Sequence, residues 1–252
     1  MKKGIVITDL TRMYEGRVCI AGYDKDGRCI RPVLPPPGIS ENSLFKQGRP
    51  IIFPFAWVEF DLLNPIPQPP HTEDHHFIAG SPQLLKIETN RQSILDRSIF
   101  ENVSAIFEQP IHSDFGFYIM DCQGPRSLGT IRPTNIIKVL YEQGLEGVWD
   151  YRIVFMDSEG TIYRLKITDL TWHYYCDSLR GEDSDPAKIA SGLTAILKSS
   201  MVYLRVGLAR GWKKFPDRCY LQITGIFTFP DFLKGKTFAD FAPKNKGITR
   251  SS

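Results

Sequence analysis

A six-residue phrase occurs twice in the chain. Ile7-Thr8-Asp9-Leu10-Thr11-Arg12 lies near the start and Ile167-Thr168-Asp169-Leu170-Thr171-Trp172 in the second half, identical at five of six positions. Each copy follows an apolar run rich in β-branched residues, Ile5-Val6 in the first and 162–167 in the second. Each reads as the end of a strand leaving through a turn, because Asp and Thr side chains bond nearby backbone groups. Chance produces matches this short, and so does duplication of one strand-built unit. Duplication requires the two halves to share an order of elements.

The first half reads as strands over 4–10, 17–23 and 28–34, the last two forming a hairpin around Asp24-Lys25-Asp26-Gly27, where the glycine supplies a positive φ. Pro35-Pro36-Pro37-Gly38 opens a loop, 51–62 resumes as strand, and a proline-rich loop from Asn64 to Pro70 continues through His71 to His76. Residues 91–107 show helical apolar spacing. Further strands are expected over 115–122 and within 126–140. In the second half, 151–156 and 161–168 form a hairpin, followed by a polar loop over 177–185. Asp185-Pro186 then starts a helix, with the acid as N-cap and proline at the first helical position. Strands over 201–208 and 219–229 close the unit. Each half thus has several short strands and one helix. That predicts a mainly β chain of two tandem OB-like small β-barrels, 1–135 and 136–252, the second ending in a basic tail. Closure into barrels also removes exposed sheet edges.

A hydrophobic content of 42% supports a core without disulfide staples. The odd number of cysteines, five, with no CxxC, suggests reduced thiols in a cytoplasmic protein. No apolar run is long enough to span a membrane. Net charge is only +3, but its distribution is uneven. Residues 1–135 carry 14 basic and 15 acidic side chains, and 136–252 carry 17 and 13. Arg205, Arg210, Lys213, Lys214 and Arg218 face only Asp217 within 205–218, so an anionic partner is drawn to the C-terminal half.

Ile5-Val6-Ile7-Thr8-Asp9-Leu10-Thr11-Arg12, the hairpin ending Cys29-Ile30-Arg31-Pro32, Pro69-Pro70-His71-Thr72-Glu73-Asp74, and Val206-Gly207-Leu208-Ala209-Arg210 with Leu221-Gln222-Ile223-Thr224-Gly225-Ile226-Phe227 together resemble the prokaryotic dual OB-containing domain family. The resemblance covers nearly the whole chain. It implies two tandem OB barrels and a role in recognising nucleic acid, in genomic settings tied to defence against foreign elements. It supplies no catalytic residues.

The candidate nucleic-acid-binding residues are Arg12, Arg31, Trp172, Tyr174, Arg205, Arg210, Trp212, Lys213 and Lys214. Arginine clamps phosphate bidentately, and aromatic faces on a barrel stack bases. For Arg12 and Arg31 the competing reading is a pair with a nearby carboxylate, and for Trp172 and Tyr174 it is packing at the barrel mouth. For 205–214 it is a solvated basic loop. Asp9 and Asp169 form a possible pair of metal-binding carboxylates, against the simpler reading that each caps its own turn. His71, Asp74 and His75 are weak metal candidates without a CxxC or HExxH frame. No Ser, Cys or nucleotide-fingerprint template occurs, and no cofactor is expected. The expected function is a non-catalytic module recognising nucleic acid or a nucleotide, single-stranded if a polymer. The alternatives are a metal-dependent nuclease or phosphoesterase, and an adaptor binding a protein partner of a defence system.

Overall fold

The computed structural model describes residues 1–143, 149–180 and 185–243. Within them the protein is mainly β. β1 (Lys2–Arg12), β2 (Arg17–Tyr23), β3 (Cys29–Val33), β4 (Ala56–Pro65) and β5 (Asp74–Phe77) pair in the order β1-β2-β3-β5-β4, and β4 returns to β1. All these pairs are antiparallel except β3 with β5. This closed Greek-key ring is an OB barrel. Alternation fills it: Ile5, Ile7, Ile20, Val58, Phe60 and Leu62 are buried in one cluster. β6 (Gln83–Ile87) lies along β4 at the sheet's outer edge.

Two short helices follow, α1 (Arg91–Asp96) and α2 (Val103–Phe107), then β7 (Phe117–Met120) and β8 (Leu128–Ile131). The second unit runs β9 (Asn135–Gln143), β10 (Trp149–Met156), β11 (Ile162–Ile167), α3 (Leu170–Leu179), α4 (Pro186–Lys198), β12 (Met201–Leu208) and β13 (Arg218–Phe229), with α5 (Phe238–Phe241) after it. β9, β10 and β11 form an antiparallel meander, β11 runs parallel to β13, and β12 is antiparallel to β13. This repeats the connectivity of the first unit, with α4 between the third and fourth strands as the sequence predicts. No ladder joins β9 to β12 among the described residues. Instead β8 pairs with β12, and the Val139 amide on β9 donates to Thr194 Oγ1 of α4 at 2.9 Å. The helix covers the side that the first ring closes with strands.

The two units share a packed boundary. Leu170 from α3 and Phe238 from α5 are buried within the first unit's core cluster. Strand pairing changes from one sheet to the other between Ile87 and Ile99, well before residue 135.

Several expectations are corrected. The helix over 91–107 is two helices separated by a short strand at Ile99–Phe100. Asp74–Phe77 is a barrel strand, not loop, although His75 and His76 hide the apolar alternation. Trp172 to Cys176 belongs to α3, not to a strand followed by a polar loop, because Asp169 caps it: its Oδ1 accepts the Thr171 and Trp172 amides. The two copies of the repeated phrase therefore differ locally. The first stays extended to Arg12, and the second turns into a helix. They also meet: Thr11 bridges Asp169, and the Arg12 amide donates to the Thr168 carbonyl at 2.7 Å.

Candidate nucleic-acid interface

β1 bulges at Thr8, where its register on β2 shifts between Ile7 and Asp9, and β13 bulges at Thr224, where the consecutive Arg205 and Val206 of β12 face Gly225 and Ile223. Such bulges re-aim side chains. Here they bring the Asp9 carboxylate and the Arg205 guanidinium together between the two units. Arg205 Nη2 donates to Asp9 Oδ2 at 2.8 Å and Nε donates to both carboxylate oxygens at 3.1 Å. Arg205 Nη1 donates to Thr130 Oγ1 at 2.9 Å and to the Tyr23 hydroxyl at 2.5 Å, and Thr224 Oγ1 donates to Asp9 Oδ1 at 2.5 Å. Arg205 is fully buried. Gly225 permits this closeness, since a Cβ there would lie 3.0 Å from the Thr8 carbonyl oxygen and 3.2 Å from Arg205 Cγ. A buried pair with this many hydrogen bonds is structural.

Beside this junction lies a groove of about 760 Å³, within the range of ligand sites. Its walls are the β2–β3 face of the first barrel (Cys19, Arg31, Pro32), the turn after β1 (Arg12, Met13, Tyr14), the segment between β4 and β5 (Ile66, Gln68), and the loop leaving β12 (Ala209, Arg210). In OB barrels the second and third strands and the loops joining the first to the second and the fourth to the fifth strands carry the ligand. Gln222 and Thr224, two residues apart on β13, form part of the floor. A second cavity of about 680 Å³ shares Arg12, Met13, Tyr14 and Gln222 with it and adds Trp149, Lys166 and Arg180. The two therefore form one trough with Arg12 at the middle.

The charge of the trough is net positive. Asp74 is shared by two arginines: Arg31 Nε donates to its Oδ1 at 2.5 Å, and Arg210 donates to Oδ2. Arg31 is buried and its Nη2 has no partner, whereas the Arg210 side chain is about half exposed. Arg12 is exposed, 5.7 Å over the Tyr174 ring and 3.8 Å from Asp177. Tyr174 is half-buried, and its hydroxyl donates to Glu41.

The family model for the dual OB-containing domain matches residues 3–226. The chain belongs to that family. No curated protein matches the chain. Among the described residues of this dual OB domain, no helix is long and apolar enough to cross a membrane.

The predicted site residues of the dual OB domain fall in three places. Arg12, Arg31 and Arg210 line the trough, with Tyr174 under Arg12. Trp212, Lys213 and Lys214 are exposed on the far side of the loop that carries Arg210. Arg205 and Trp172 are corrected. Both are buried: Arg205 is spent on Asp9, and Trp172 packs in the second core with its ring 5.9 Å from Phe232. Neither lines the trough. The C-terminal tail's Lys244, Lys246 and Arg250 lie outside the described residues.

The carboxylates read as a possible metal pair are both engaged. Asp9 holds Arg205. Asp169 accepts the Thr171 and Trp172 amides and, at 3.0 Å, the Ile226 amide. Burial, resisted by those amide bonds, pushes the Asp169 carboxyl up to about 6. Asp169 thus caps as expected, while Asp9 makes an ion pair instead of capping a turn. His71 is buried with neither ring nitrogen bonded, and burial holds it neutral with its pKa far down. Asp74 is taken by the two arginines, and His75 Nδ1 lies 2.9 Å from the Glu73 carbonyl. Among the described residues no group of three or more His, Cys, Asp or Glu side chains converges as metal ligands need.

Sequence reasoning missed Tyr14, Trp149, Lys166, Arg180 and Gln222. Tyr14 had a legible signal, a large aromatic in the turn directly after Arg12. Gln222 and Lys166 had none without the register, which sets them facing each other across β11 and β13.

Proposed function

We propose that this dual OB domain is a non-catalytic module that binds single-stranded nucleic acid in the trough. The observation that carries the reading is the meeting of Arg12, Arg31 and Arg210, drawn from three separate segments, on the face and loops with which OB barrels hold ligands. Asp74 neutralises one of the two arginines that share it, so the other is available to a phosphate. Arg210 is suited to exchange, because its side chain is half exposed while that of Arg31 is fixed. Tyr14, 85% exposed at the rim, offers a ring face to a base.

Fluorescence anisotropy with a labelled single-stranded oligonucleotide tests this. The expected result is an affinity falling linearly with salt on logarithmic axes. Arg210→Ala and Arg12→Ala each weaken binding and lower the slope by roughly 0.7. The labelled strand survives incubation with Mg²⁺ or Mn²⁺. Binding that is absent or indifferent to salt, or strand cleavage abolished by EDTA, sinks the proposal.

A further inference from the structure

The outer end of β13 carries a cluster of aromatic side chains that belongs to neither core. The turn at 114–116, just before β7, lays Phe115 on Tyr220, ring centroids 5.0 Å apart and nearly parallel. Phe115 also meets Phe215 at 5.5 Å, and Trp212 meets Phe215 at 5.7 Å. The Arg218 guanidinium lies 4.5 Å from the Phe215 ring centroid and 4.8 Å from that of Tyr118. Phe115 is 66% exposed and Trp212 50%. Contiguous exposed rings of this size mark a contact surface.

Two features say what covers it. The first is charge. Arg218 is answered by Asp114 at 2.5 Å, but Lys213 and Lys214 stand exposed beside the rings with only Asp217 close in sequence. Rings interleaved with surplus cations suit unpaired bases joined by phosphates. The second is continuity with the trough. Cys219, Leu221 and Ile223 of β13 point into the core, so Tyr220, Gln222 and Thr224 share the opposite face. Thr224 and Gln222 line the groove and Tyr220 supports Phe115, in steps of roughly 7 Å along the strand. The loop between β12 and β13 spans the same gap, with Arg210 on the trough side and Trp212 on the ring side.

We propose that this cluster is a second, base-stacking site, and that one single strand runs from the trough across Arg210 onto Phe115 and Trp212. The inference rests on the trough reading and adds that the ligand is a polymer, not a mononucleotide. It predicts affinity that depends on length. Wild-type protein binds an oligothymidylate of about fifteen nucleotides much more tightly than one of about five, which fills the trough alone. Phe115→Ala and Trp212→Ala, on separate segments and both exposed, each weaken the longer strand roughly tenfold. They leave the shorter one unchanged, and thermal unfolding of each variant confirms the fold.

Equal wild-type affinity per site for both lengths overturns the stacking site and spares the trough. So does full retention of long-strand affinity in the double variant, which would leave the rings to a protein partner. Loss of short-strand binding in Phe115→Ala also overturns it. No wild-type binding at either length removes both readings.

Discussion

The two copies of Ile-Thr-Asp-Leu-Thr occupy opposite sides of one boundary and do different work. In the first copy the strand continues and a bulge turns Asp9 outward onto Arg205. In the second the strand stops, and Asp169 holds two backbone amides at the start of α3 and that of Ile226 on β13. Their leucines converge, since Leu10 and Leu170 are both buried in the first barrel's core. Local propensity in five residues does not decide their conformation. The residues downstream of each copy decide it: the first copy leads into Met13 to Gly16, a tight connection to β2, and the second into a longer run that can bury one helical face.

This contrast can be broken by substitution. Arg205→Ala leaves the buried Asp9 carboxyl without its ion-pair partner in the boundary and is expected to cost about 4 kcal/mol in urea unfolding. A loss below about 1 kcal/mol would mean that water reaches Asp9 and that the boundary is not tight. Next, Leu170→Ala removes a side chain from the far unit's core and is expected to cost about 3 kcal/mol. Protection of first-barrel amides in hydrogen exchange should fall with it. If only second-unit amides respond, Leu170 does not support the first barrel.

Asp169→Ala strands three amides and is expected to cost about 2 kcal/mol. This position also has a pH signature. Its folded carboxyl, pushed up to about 6 by burial, exceeds the unfolded value of 3.8. Its contribution to stability is therefore fully present below the unfolded value and lost as pH rises through about 6, by at most about 1.4 kcal/mol per pH unit. Unfolding midpoints across that window should lose this component in Asp169→Ala. An unchanged pH profile would show that Asp169 stays ionised throughout. The smallest effect is expected from Thr224→Val, which deletes one donor to Asp9 that Arg205 partly replaces, about 1 kcal/mol.

Much of the fold was legible. The Asp24–Gly27 turn is built as its residues suggest, with Gly27 at φ +79° and Asp24 Oδ1 accepting the Asp26 and Arg28 amides. Asp185-Pro186 starts α4 as read. What stayed hidden depends on partners distant in sequence. β5 carries Asp74 and His76 because these polar side chains face the groove, where Asp74 also meets Arg210 of the second unit, and its pairing with β3 is parallel and remote. α3 is rich in Trp and Tyr, poor helix formers that read as strand until the cap is recognised. At the site, composition found the arginines of the trough but could not separate them from Arg205, which stands in the same Arg205-Val206-Gly207-Leu208-Ala209-Arg210 stretch as Arg210. Only alternation along β12 does so: Val202, Leu204 and Val206 fill the core, and Arg205 is thereby turned towards Asp9.

Phe238 and Leu170 have a bearing on synthesis. A ribosome finishes the five ring strands with Phe77, yet two of the side chains that plug that ring are still some ninety and one hundred and sixty residues from being made. At roughly 5–20 residues per second the nascent ring waits several seconds or more with part of its interior open to solvent. The N-terminal unit is thus completed by residues made long after it, and translation of α5 is when it is sealed.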